Sequence, residues 1–333
     1  MAITIRDIAR ELGLSPMTVS RALSPTESLS VKPFTRQRVE EAALRLGYQI
    51  NRSARNLASG RTFVLGVWIS HLHSSVYSQI VTACQEAVQN TTLELSVSEM
   101  DWHFYDEDAH RRFQWPVDGV LAVDPPPMGE MEKLLGPTPW RDIPRVHLGS
   151  GQSVPWDGDF VFVDLGAGTR AAIEHLLSVG CTRIAYVSPP GADRPGMCHF
   201  DAYIETMRRA GAPPHVIVSP SWDIAAAREA VRDFIQHNRS VDGIYCHHDE
   251  FAIAAFRAVR DLGLRVPEDV ALIGCEGNAF LEYFDPPLST IAMPIGEMCH
   301  RAVELLQRRI KQPDAAPQNL TLPFEFLKRA SSR

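Results

Sequence analysis

Two stretches of this 333-residue chain echo each other, VDGVLAV from Val117 and VDGIYCH from Val241. Each is a short apolar run behind an Asp-Gly pair, the pattern of a strand buried on both faces. FVLGVWI, RIAYVS and VALIGC read the same way, and helical patterns such as GTRAAIEHLLSVG and AAAREAVRDFIQHN lie among these runs. Strands alternating with helices predict doubly wound parallel sheets. The echo predicts two of them, an α/β body of two Rossmann-like lobes. With 45% hydrophobic residues the chain can bury several cores. Ligands of such sheets sit at the carboxyl ends of the strands.

The first 62 residues follow a different plan. Thr4 can cap a short helix with Asp7 three positions on, and Ile8, Ala9 and Leu12 share one face. Gly13 suits the left-handed position that ends a helix. Ser15 is then a good N-cap and Pro16 fits the first helical position, where a missing N–H costs nothing. The second helix turns Val19, Ala22 and Leu23 inward and Met17, Thr18, Ser20 and Arg21 outward. Two short helices joined by a glycine turn make a helix-turn-helix, although so short a pattern also fits a generic helical hairpin. A third helix, capped at Thr35, has Val39, Ala42, Ala43 and Leu46 as its apolar stripe and Gly47 as its stop. Ten Lys and Arg against five Asp and Glu make this segment +5, which leaves −12 for the rest of a chain whose total is −7. A basic head on an acidic body is the asymmetry of a nucleic-acid-binding module joined to something else.

TIRDIARELGLSPMTVSRAL, TRQRVEEAALRLGY and NRSARNLASGRTFVLGV, in that order, resemble the lac-repressor-type (LacI/GalR) family of bacterial transcription regulators. DLGLRVPEDVALIGCEGN, DPPLSTIAMP and LPFEFLKRAS extend the resemblance to the end of the chain, and it is weakest between about His71 and Pro116. It implies a helix-turn-helix domain over 1–50, a hinge helix over 51–61, and a periplasmic-binding-protein-like effector and dimerisation body over 62–333. The first lobe would take about 62–163 and 293–320, and the second about 164–290 and 321–333. By the resemblance, Thr4, Ser15, Pro16, Met17, Thr18, Ser20 and Arg21 serve the DNA-binding head. NRSARNLASG by itself reads as a basic linker; within the family pattern it is the hinge, with Asn51 as cap, Ala54 and Leu57 on one face, and Arg52 and Arg55 near phosphates. Leu57 takes the place of the leucine that wedges into the minor groove.

The effector cleft carries over residue by residue. His199 stands where the family has an arginine, and Arg194 lies nearby. Trp222 takes the place of an aromatic that stacks on the effector. His248 replaces an asparagine beside Asp249, which is kept, and Glu276 replaces an aspartate. From the first lobe, His73, Ser75, Tyr77 and Asp124 are candidates at strand ends. Two carboxylates and a tryptophan face favour a neutral polyhydroxylated effector, a sugar or sugar derivative, over an anionic one. The histidines are expected to titrate near neutrality and to modulate that preference.

MAITIRDIAR lacks the apolar region of a signal peptide, no run reaches membrane-spanning length, and six scattered cysteines without a C-x-x-C pair fit a reducing cytosol. Neither a G-x-G-x-x-G motif nor a P-loop is present, and no cofactor is expected. The expected partners are near-palindromic double-stranded operator DNA, a small-molecule effector and a second copy of the chain, a dimer because leucine heptads are missing at the end. The competing reading is a two-lobed protein with an enzymatic or metal-dependent cleft built on His71, His73, His247, His248 and Asp249. No spacing ties those groups together. A periplasmic-type sugar-binding protein would share the body and lack the head.

Overall fold

The computed structural model describes residues 3–23, 30–48, 60–70, 74–100, 116–125, 142–150, 158–238 and 240–332. The chain divides into two compact units, Met1–Phe63 and Val64–Arg333.

The first unit holds helices α1 (Ile5–Leu12), α2 (Pro16–Ala22) and α3 (Pro33–Leu46). Asp7 accepts from the backbone N–H and the hydroxyl of Thr4, which fixes the start of α1. Gly13 turns the chain at φ 65°, and Ser15 caps α2 by accepting from the Thr18 N–H at 3.0 Å. Ile8, Ala9, Val19, Ala22, Val39, Ala42 and Ala43 form the core. α3 starts three residues earlier than a Thr35 cap predicts: Pro33 is its first residue, behind Lys32 at the cap. Proline's fixed φ is already helical, and its missing N–H is no loss there.

The second unit contains two six-stranded sheets. In the first, β1 (Val64–Ile69), β2 (Glu94–Glu99), β3 (Gly119–Val123), β4 (Arg145–Gly149), β5 (Asp159–Val163) and β11 (Asn319–Leu322) run in the order β11-β5-β4-β3-β1-β2. In the second, β6 (Ile184–Ser188), β7 (His215–Val218), β8 (Gly243–Cys246), β9 (Ala271–Glu276), β10 (Ser289–Ala292) and β12 (Glu325–Leu327) run in the order β12-β10-β9-β8-β6-β7. Every ladder is parallel except β10–β12.

Helices α4 (Ser75–Val88) and α9 (Ile295–Lys311) belong to the first lobe. Helices α5 (Leu165–Ser178), α6 (Cys198–Arg209), α7 (Ile224–His237) and α8 (Asp249–Asp261) belong to the second. The chain passes between lobes after β5, after β10 and after β11. α9 returns to the first lobe because its stripe Met298, Cys299, Ala302, Val303, Leu305 and Leu306 is buried, and Arg309 clamps the buried Asp159 of β5 at 2.7 Å.

The echoed stretches are β3 and β8, each fourth from the same end of its sheet. The glycine of the first is required by close approach: a Cβ at Gly119 would lie 2.8 Å from Leu306 Cδ1. Parallel strands aim their carboxyl ends at one edge, and this topology collects the candidate ligand residues there.

Candidate DNA-binding head and effector cleft

In the head, α2 presents Pro16, Met17, Ser20 and Arg21 exposed and Thr18 half-buried, with Met17 at 65% exposure. The Thr18 hydroxyl lies 2.9 Å from Ser15 Oγ. The Thr4 hydroxyl is engaged by Asp7 at 2.7 Å. Met17 thus stands exposed near the start of the second helix, the end from which a helix-turn-helix contacts base edges. Asn51, Arg52, Ala54, Arg55 and Leu57 lie outside the described residues, and so does His73.

In the body, Ser150 follows β4, Asp124 follows β3, His247, His248 and Asp249 follow β8, and Glu276 ends β9. Asp124 adopts φ 42°, and its Oδ1 accepts from the Ser150 N–H at 2.9 Å and the Ser150 hydroxyl at 3.2 Å. The Tyr77 hydroxyl of α4 reaches the other oxygen at 3.5 Å, a long bond. Glu276 adopts φ 109°, a conformation that costs a non-glycine residue about 1–3 kcal/mol. Its Oε2 is buried without a hydrogen-bond partner among the described residues. Strain and an unpaired carboxylate oxygen on one side chain are what a ligand clamp looks like.

Trp222, after β7, is half-buried and packs edge-on against His247 and His248, with centroids 6.3 and 5.6 Å away. Asp249 is fully buried: its Oδ1 accepts from the Thr290 hydroxyl at 2.7 Å and its Oδ2 from the Asn278 N–H at 2.6 Å. It fastens β9 and β10 to the start of α8. His199 is also buried, its Nδ1 2.8 Å from Thr169 Oγ1 and 3.2 Å from Tyr245 OH, and its ring lies against that of His247, centroids 4.4 Å apart and planes tilted by 40°. Arg194 is exposed on the loop before α6.

The electrostatics correct one expectation. Burial, then the neighbouring His247, holds His199 well below the usual imidazole range, and burial with His248 takes His247 to about 3. These rings stay neutral at physiological pH because charging them would require uncompensated desolvation. The groups that titrate upward are acids. Burial, then Glu250, Asp249 and Asp124, pushes Glu276 well above the carboxyl range, and burial pushes Asp249 to about 7. Asp124 is raised by burial as well, and Tyr77 by burial and then Asp124 and Glu276. The cleft is therefore rich in acceptors, with neutral imidazoles beside them.

Residues 4–51 match the model of the bacterial regulatory proteins of the lacI family, and residues 173–332 match a periplasmic binding protein-like domain. The chain belongs to the LacI family of bacterial regulatory proteins. It is a DNA-binding transcriptional regulator. It is 27% identical over 335 residues to the ribose operon repressor of Escherichia coli K12, covering 99% of each chain. Its fold is similar to the lac repressor dimer bound to operator and the anti-inducer ONPF, with a TM-score of 0.83, 24% identity and coverage of 100% and 99%. It is also similar to the transcriptional regulator CelR in complex with cellobiose, with a TM-score of 0.68, 26% identity and coverage of 99% of each chain.

Among the described residues no helix is long and apolar enough to cross a membrane, and no cluster of three or more His, Cys, Asp or Glu is arranged to hold a metal. The sequence reading passed over Glu250, Asn278, Thr290 and Thr169. Thr290 and Asn278 lie within DPPLSTIAMP and DLGLRVPEDVALIGCEGN and Thr169 within GTRAAIEHLLSVG, whereas Glu250 is marked by its fold contacts alone.

Proposed function

We propose that the chain is a cytoplasmic, dimeric repressor whose effector is a neutral, polyhydroxylated ring compound gripped between Trp222 and Glu276. The observation that carries the effector class is the buried, unpaired Glu276 Oε2 on a strained backbone, with further carboxylates close by. Sugar hydroxyls donate to such oxygens, and the tryptophan face packs on the apolar side of the ring. An anion would add its charge to a cluster of Glu276, Asp249 and Asp124 whose mutual repulsion already raises Glu276. The cellobiose in the CelR complex and the ribose operon named for the E. coli relative support a sugar.

The test is ligand-induced thermal stabilisation of the full chain, screened across neutral sugars, sugar acids and nucleosides at pH 6 and pH 8. A neutral sugar is expected to stabilise it. Trp222→Ala and Glu276→Ala are each expected to weaken that sugar roughly 10- to 100-fold, the equivalent of about 1.4–3 kcal/mol. Any sugar acid that binds should bind less well at pH 8 than at pH 6, because the buried Asp249, raised to about 7, ionises between them. A ligand that stabilises both variants as well as the parent would overturn the pocket.

For the head, Met17 is assigned to a base edge, where its thioether suits a thymine methyl. Leu57 is assigned to the minor-groove wedge, and Arg52 and Arg55 to phosphates. Met17→Ala is expected to change the preferred base at one operator position in a selected-site assay. Arg52→Ala should weaken all sequences alike and flatten the salt slope by about one. An unchanged consensus for Met17→Ala would remove it from base reading.

A further inference from the structure

The start of α4 is finished from the opposite lobe. Ser74, at the cap position of this 14-residue helix, makes no side-chain capping bond. The Ser75 N–H instead donates to Glu250 Oε1 at 2.9 Å, and the Ser75 hydroxyl donates to the same oxygen. Glu250 is the second residue of α8, in the second lobe. Beside it, Asn278 Nδ2 donates to Ser75 Oγ at 2.7 Å, and Asn278 Oδ1 accepts from Gln79 Nε2 at 2.8 Å. Asn278 is 2% exposed, and its own N–H is held by Asp249, which Thr290 holds in turn. A chain of bonds thus runs from the first turn of α4 into the buried centre of the second lobe.

A helix N-terminus carries orphan N–H groups and a partial positive charge, and a carboxylate there satisfies both. Where that carboxylate comes from the other lobe, the order of the helix start depends on how the lobes sit. α4 also carries Tyr77, whose hydroxyl faces Asp124 and feels the charge of Glu276. Lobe orientation, the α4 start and the cleft wall are mechanically one assembly.

We propose that Glu250, supported by Asn278 and Gln79, is an inter-lobe clasp that caps α4 from the second lobe and positions the first-lobe wall of the cleft. Its link to an effector rests on the cleft reading above; the clasp itself does not.

Hydrogen exchange on the full-length protein tests it. Glu250→Ala is expected to raise exchange in the segment 74–80 by about tenfold or more, while segment 299–306 of α9, in the same lobe, keeps its protection. Glu250→Gln, whose amide oxygen still accepts, should restore most of the protection. Glu250→Asp, one methylene short, should behave like the alanine variant and gives the same test if alanine prevents folding. With a neutral sugar identified by the stabilisation screen, Glu250→Ala should shift its Kd several-fold and Glu250→Gln should recover it. Unchanged exchange at 74–80, or an equal rise at 299–306, would overturn the clasp. Failure of every sugar to bind would overturn the effector reading and leave the exchange result standing.

Discussion

Asp249→Asn is expected to gain about 3 kcal/mol on the parent protein between pH 5 and pH 8, read as the difference between their denaturant unfolding curves. The folded-state pKa of Asp249 rises from 3.8 to about 7, mainly by burial, against the bonds from the Asn278 N–H and the Thr290 hydroxyl. In that pH range the folded state binds a proton that the unfolded state has released. Stability therefore falls as pH rises from about 4 through 7, at about 1.4 kcal/mol per pH unit.

Glu276 acts in the same direction. His199, His147 and His247 oppose it: all three are lowered by burial, the last two to about 3, so each adds stability as pH rises toward 6.5 and nothing beyond. The histidine gains end near pH 6.5 and the Asp249 loss is complete just above pH 7, so the Asp249 share is read from the parent–variant difference. An asparagine keeps one acceptor for the Asn278 N–H and offers a donor to the Thr290 oxygen, so the variant folds without the ionisation. A parent–variant difference that stayed constant across this pH range would show that Asp249 does not titrate there.

Ile8→Ala is expected to abolish operator binding while the body keeps its thermal transition. Ile8 is fully buried at the centre of a head whose core consists of seven buried side chains from three short helices. Truncating such a residue costs roughly 2–5 kcal/mol, which approaches the whole stability of a domain this small. The body has its own sheets and its own core clusters. Calorimetry and a mobility-shift assay on one preparation check both halves. Retained DNA binding would show that the head tolerates the cavity.

The head was legible because its determinants are local. Gly13, Ser15 and Pro16 act within a few residues of their own backbone, and the turn they predict is the turn observed. The exception, the early start of α3, came from weighting a threonine cap above a proline two residues before it. The central strands were legible for a different reason. β1, β3, β6, β8 and β9 are covered on both faces, so nearly every side chain in them must be apolar. β2, reading ELSVSE with one residue fully buried, is an edge strand and carries no such signature.

At the cleft, the sequence placed Trp222, Asp249 and Glu276 after strands, where parallel topology brings ligand-facing residues together. Their states were decided elsewhere. Residue type alone makes His199 a candidate switch near neutrality. Its burial between Thr169, Tyr245 and His247 makes it a neutral packing element, while the same burial makes titrating groups of Asp249 and Glu276. The bonds joining Ser75 to Glu250 and Asn278 span 175 and 203 residues of sequence. Helix starts and fully covered strands follow from neighbours along the chain, so the sequence by itself determined them. Desolvation and contacts between lobes depend on which distant segments pack together, so only the tertiary structure decided the charge state of the cleft and the capping of α4.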